Sequence, residues 1–263
     1  MTKLKKYLLE GVTILFILLE AVLFYLIHIQ KVNLGYSLHY GAIIAAAAYS
    51  WLTLGISLLP PKEMGEVRDL LLNAKNGNLI RIAMLFTLTA DYFLVAIDRP
   101  THEDHIAGVA FFLGTQLFIY LHIAANEKNS RVQYIHLGVR FVISLMLIVI
   151  TGLVLGRDTD ALAMMSTVYY ANLVVNAIFA HRSGKGGIML TVGLIFFALC
   201  DINVGLSALN NIYDGGFPEG SLLYNLLYSG VDLVWIFYLP SQTIIPLTLM
   251  LCNKNEKIKK QPE

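Results

Sequence analysis

The sequence predicts an all-α integral membrane bundle of eight transmembrane helices with both termini cytoplasmic, and three observations predict it. Of 263 residues, 57% are hydrophobic and only 14% are charged, against roughly a quarter charged in a soluble domain. The apolar residues fall in eight continuous runs of about the 20 residues that a bilayer core requires. Finally, 16 of the 19 Lys and Arg residues fall on one side of those runs. Continuous runs also exclude a transmembrane β-barrel, whose strands alternate apolar and polar residues. No linker is long enough to divide the chain, so a single polytopic domain is expected over 1–263.

The first run, 8–29, follows Lys3, Lys5 and Lys6. It exceeds a signal-peptide core and no A-x-A cleavage site follows, so a retained helix is expected. The second and third runs, 38–59 and 79–97, flank a loop with Lys62, Arg68 and Lys75, and Arg81 stands just beyond it. The fourth and fifth, 106–125 and 134–155, flank Lys128 and Arg131, with Arg140 a little further on. The sixth and seventh, 161–180 and 187–209, flank Arg182 and Lys185. The eighth, 229–251, leads into a basic tail, 253–263, with Lys254, Lys257, Lys259 and Lys260. Only Lys31, Arg99 and Arg157 lie opposite. The positive-inside rule therefore puts both termini in the cytoplasm, which an even helix count satisfies. The opposite loops, "DRPTHEDH" (98–105) and "NNIYDGGFPEG" (210–220), are acidic and rich in turn residues. Pro240 and Pro246 interrupt the last helix's hydrogen-bond ladder and predict a kink near Tyr238 and Gln242. The third and seventh helices share a faint echo, "LFTLTAD" (85–91) and "IFFALCD" (195–201).

Composition also excludes functions. A net charge of +1 leaves no nucleic-acid footprint. Cys200 and Cys252 both fall in membrane runs and define neither a disulfide framework nor a Cys-based metal site.

An aspartate at the centre of a membrane helix costs about 2.5–3.5 kcal/mol on insertion scales, so ionisable groups at depth point to function. Asp91 in the third helix and Asp201 in the seventh lie at matched depth on parallel spans, toward the outer half. Asp232 is expected near the outer interface, so three carboxyls could converge. Polar side chains also share helical faces. Tyr169, Asn172 and Asn176 do so in the sixth helix, Trp235, Tyr238 and Gln242 in the eighth, and Gln116 and Tyr120 in the fourth. Ala198, Gly205 and Ala208 surround Asp201 with small residues that would admit a close helix or ligand. Asn and Gln also serve as interhelical glue. Glu10 can reach water, Glu20 lies deeper, and His28, His122 and His181 near helix ends have no metal-ligand spacing.

Several stretches, in order from about 80 to 250, carry a resemblance. "LFTLTADYFL" (85–94) and "GLIFFALCDINVGL" (193–206) resemble the two Asp motifs of the YhhN family of membrane proteins. "GVAFFLGTQLFIY" (108–120) is similar to its Gly-x-x-x-Phe-x-x-x-His-x-x-Tyr helix. "VYYANLVVNAIFAHR" (168–182) and "FYLPSQTII" (237–245) resemble the helix before the second Asp and the Tyr-x-x-x-Gln helix. Ala90 stands where the family usually has Gly, Cys200 where it has Ser, Gln116 where it has His, and Ile119 where it has Tyr. The resemblance implies a lysoplasmalogenase-like hydrolase that cleaves the vinyl ether of a lysophospholipid, giving a fatty aldehyde and a glycerophospho-base.

Vinyl ether cleavage needs an acid to protonate the β-carbon and a base to activate the water that captures the oxocarbenium ion. Paired carboxyls in a dry site hold one proton between them and supply both without metal or cofactor. Asp91 and Asp201 are the expected catalytic pair. Gln116, Tyr120, Tyr169, Asn172, Asn176, Asp232, Tyr238 and Gln242 are the expected substrate-binding groups. The competing class is a transporter or small-molecule-binding protein whose buried aspartates hold a cation or proton.

Overall fold

The computed structural model describes residues 3–29, 37–59, 77–184, 186–212, 216–228 and 232–252. The basic residues Lys31, Lys62, Arg68, Lys75 and Lys185 and the 253–263 tail lie outside the described residues. The helices are α1 (Lys3–His28), α2 (Ser37–Leu58), α3 (Asn78–Asp91), α4 (His102–Asn126), α5 (Ser130–Leu155), α6 (Ala161–Phe179), α7 (Gly187–Ile212), α8 (Leu222–Leu227) and α9 (Leu233–Cys252). Eight of them, all but α8, are long and apolar enough to cross a membrane, α3 and α6 with the short turns that extend them. No strand occurs among the described residues.

Where boundaries differ from expectation, caps explain the difference. Thr101 and Asp104 form a reciprocal capping box, which starts α4 at His102, inside the stretch expected to be loop. Asn129 accepts from Arg131 N and starts α5 at Ser130. The third run does not stay α-helical to its end: after Asp91 the backbone widens into a π-helical turn, Tyr92–Ala96. Such turns are rare and collect at functional sites. The last helix runs as one element through Pro240 and Pro246.

Six helices form a closed ring. α9 packs along α7 most extensively, α3 along α4, α4 against α6 and α6 against α7, while α2 closes the ring between α9 and α3. α1 lies outside on α2 and α9, and α5 lies outside on α6. The core is aliphatic and aromatic, with Ile80, Ile119, Leu173, Leu194 and Phe197 all fully buried. On α5 only His136 is buried, and its other face presents Phe141, Leu145, Val149 and Leu153 outward, the surface expected of a helix facing lipid.

Two contacts set the spacing of the ring. A Cβ on Gly114 of α4 would fall 2.2 Å from the Phe86 ring of α3, and one on Gly193 of α7 would fall 2.8 Å from Ile245 of α9. Small residues let these backbones approach. The close approach expected beside Gly205 does not form: nothing lies within 4 Å of where its Cβ would be, and Ala208 is exposed. The far end of α7 runs past the ring's packing and leaves that face open. Arg81, expected as a charge at the loop edge, is instead 1% exposed. It joins α3 to α2 through Ser50 O at 2.9 Å, and Nη1 donates to Asn78 Oδ1 at 2.7 Å.

Candidate functional site

Asp91 closes the α part of α3, with the π turn beginning at the next residue. Its side chain points into the ring and is 2% exposed. Tyr238 Oη of α9 donates to Asp91 Oδ2 at 2.5 Å. Asp201, on α7, is partly buried, and Tyr169 Oη of α6 donates to its Oδ2, also at 2.5 Å. Each carboxyl is therefore held by one tyrosine from a neighbouring helix. These are short O–H···O contacts, in the range of charge-assisted bonds.

An aromatic wall links the two halves. Phe197 of α7 is completely buried one turn below Asp201. Its ring centroid lies 5.3 Å from Tyr238 and 6.4 Å from Tyr169. Phe112 of α4 completes the wall at 5.4 Å from Tyr169 and 5.5 Å from Phe197. Trp235 stacks edge-on to Tyr238 at 5.3 Å. The rings fix the tyrosines, so the hydroxyls have little freedom to leave the carboxyls. Asp91 and Asp201 face the same interior although α3 and α7 do not pack along one another. On α9, Gln242 sits one turn beyond Tyr238; it is buried, and its Oε1 has no hydrogen-bond partner.

Asp232 does not join the pair. It is exposed, and its Oδ1 accepts from Trp235 N at 3.3 Å, so it caps the start of α9. The carboxylate is occupied by an otherwise orphaned backbone N–H.

Gln116, Tyr120, Asn172 and Asn176, expected around the substrate beside the carboxyls, gather instead around a residue read from sequence only as a flanking charge. Arg140 of α5 reaches into the groove between α4 and α6. Its Nη1 donates to Asn172 Oδ1, and Nη2 donates to Asn176 Oδ1 at 2.6 Å. Its guanidinium lies 4.3 Å over the Tyr120 ring, a cation–π contact. Nη2 also lies 3.3 Å from His136 Nε2; a guanidinium only donates, so that nitrogen accepts. Asn176 Nδ2 donates in turn to Gln116 O at 2.9 Å and Gln116 Oε1 at 2.8 Å. His136 stacks on Phe179 at 4.3 Å. The signal for Arg140 was present in the sequence. It lies ten residues beyond Ser130, about 15 Å along a helix axis, too deep for a loop charge.

Among the described residues, no three His, Cys, Asp or Glu side chains gather as a metal-binding group. Cys200, beside Asp201 in the chain, is a buried free thiol.

The fold and site define a polytopic, all-helical protein with eight apolar spans, a tyrosine-held carboxyl pair and a half-buried arginine cluster. A family profile described as the YhhN family matches residues 42–249, which reaches into every helix of the ring. The chain belongs to the YhhN family. No curated protein matches it, and neither does any solved structure.

Proposed function

We propose that the protein is a membrane-embedded hydrolase that cleaves the vinyl ether bond of a lysophospholipid, releasing a fatty aldehyde and a glycerophospho-base. The observation that carries this reading is the placement of Asp91 and Asp201 in one interior, each fixed by a tyrosine hydroxyl at 2.5 Å. Family membership is compatible with it.

The chemistry asks for two carboxyl functions. One carboxyl gives its proton to the β-carbon of the vinyl ether, and the C=C π electrons form the new C–H bond. The resulting oxocarbenium ion is stabilised by the carboxylate charge, a task that paired carboxylates perform on a related cation in glycosidases. The second carboxyl takes a proton from water as its oxygen bonds the cationic carbon. The hemiacetal then collapses: its hydroxyl proton passes to the first carboxylate, the second carboxyl protonates the glycerol oxygen as the C–O bond to glycerol breaks, and the aldehyde and a glycerol hydroxyl separate. Protons balance, and the pair returns to its starting state. Tyr169 and Tyr238 position the carboxyls, and Gln242 offers a buried, unpartnered oxygen for the water.

Asp201 is the more exposed residue of the two aspartates, on the side where α7 leaves the ring. A single-chain lipid would enter there, sideways from the bilayer, with both termini of the protein on the cytoplasmic side. The test is aldehyde release by purified Asp91→Asn and Asp201→Asn proteins whose helicity and gel-filtration profile match the wild type. Loss of release in both is expected. Undiminished release in both removes the proposal.

A further inference from the structure

The acid–base chemistry leaves the Arg140 cluster without a task. A guanidinium stays charged, and a charge in a low-dielectric interior is normally paired. Every recorded partner of Arg140 is neutral: two Asn oxygens, a His nitrogen and a Tyr ring. Among the described residues, no carboxylate forms an ion pair with it. The cluster also carries donors with nothing to donate to. Arg140 Nε and Gln116 Nε2 are buried with no hydrogen-bond partner, and Gln116 is 0% exposed. One positive charge without a carboxylate partner and two N–H donors without acceptors, one on α5 and one on α4, suit an anion.

Its position gives the anion's identity. Asn172, which holds Arg140, lies three residues beyond Tyr169, which holds Asp201. That spacing is an axial rise of about 4.5 Å along α6, with Tyr169 turned toward Asp201 on α7 and Asn172 toward Arg140 on α5. A glycerol backbone with an ether on its first carbon and a phosphate on its third covers an axial offset of this size.

We propose that Arg140 and Gln116 bind the phosphate of the lysolipid, so that the headgroup is anchored one helical turn from the carboxyl pair. The ligand's identity rests on the hydrolase reading; the demand for a phosphate-type anion rests on the cluster itself. The Arg140 fork suits a phosphate because two parallel N–H groups match two oxygens. The Asn172 and Asn176 oxygens that now accept from it would yield to the ligand.

The experiment is equilibrium binding of a radiolabelled, saturated 1-O-alkyl lysophospholipid to the full-length protein in detergent. With no vinyl bond the ligand is not cleaved, so binding is read without turnover. Unlabelled lysolipid is expected to displace the label at least tenfold better than the matching alkylglycerol without phosphate, a ratio worth about 1.4 kcal/mol. Inorganic phosphate is expected to displace it weakly. Arg140→Gln should abolish the preference, and Arg140→Lys, which keeps the charge but loses the fork, should reduce it. Equal displacement by both alkyl ligands in the wild-type protein overturns the proposal, whether or not the variants fold. Displacement by inorganic phosphate as effective as by lysolipid overturns the lipid assignment. A protein that releases aldehyde yet shows no phosphate preference sinks this inference alone. One that shows the preference yet releases no aldehyde sinks the hydrolase reading instead.

Discussion

Tyr238→Phe removes one oxygen atom and should reveal how tightly the site is organised. Tyr238 is 4% exposed and Asp91 2% exposed, so neither group can turn to solvent when its partner is lost. The ring would keep its edge-on contacts with Trp235 and Phe197, both at 5.3 Å, and the change isolates the hydroxyl. A buried acceptor left without its donor costs about 1–3 kcal/mol. The 2.5 Å separation and the low exposure place this contact in the upper part of that range. The assay is a double-mutant cycle on purified protein, following unfolding in a denaturing detergent for wild type, Tyr238→Phe, Asp91→Asn and the double variant. The expected coupling between the two positions exceeds 1 kcal/mol, in round terms. Independent sites add to within about 0.3–0.5 kcal/mol. If the two changes add to that accuracy, Tyr238 does not hold Asp91. The same cycle at Tyr169 and Asp201 should give a smaller coupling, because Asp201 is partly open and water can replace the lost donor.

Two further outcomes concern the ends of the bundle. Glu127, on the connection between α4 and α5, accepts from Arg182 Nε and from Asn129 N at 2.8 Å. The Arg182 bond foremost, then the Asn129 N–H, holds its carboxyl below the usual glutamate value. A depressed folded-state value stabilises above the unfolded value of about 4.3 and loses that stability as pH falls through the folded one. The difference in thermal midpoint between wild type and Glu127→Gln should therefore be present at neutral pH and vanish in acid. A gap that stays constant down to about pH 3 refutes the role. The orientation read from charge predicts that, with Cys200 and Cys252 replaced by Ala, an impermeant thiol reagent on intact cells labels Arg157→Cys and spares Lys128→Cys. The reverse pattern inverts the topology.

The eight spans were readable because a helix in lipid must satisfy its backbone internally and cover it with apolar side chains, and both demands act on each segment alone. Asp91 and Asp201 were readable for the same reason: an ionisable residue in such a segment stands out without knowledge of its neighbours. Start points were less legible. The Thr101 box and the Asp232 cap depend on side chains folding back on backbone, and hydropathy does not register them. The π turn after Asp91 is likewise invisible to a sequence window, since it changes one hydrogen-bond register and not the apolar pattern.

Partnership belonged to tertiary structure. Asn172, Tyr169 and Asn176 share one face of α6, and periodicity put them in one group. The bundle splits that face: Tyr169 turns to Asp201, while Asn172 and Asn176 turn to Arg140, because α7 flanks one edge of α6 and α5 the other. Arg140 counted as a flanking charge while helices were read singly. Only the packing of α5 on α6 carries its guanidinium into the groove between α4 and α6. A sequence fixes which groups are expensive to bury, since that is a property of each side chain and its solvent. Which of them meet is set by helix order around the ring, a sum of many small packing terms that no single segment contains.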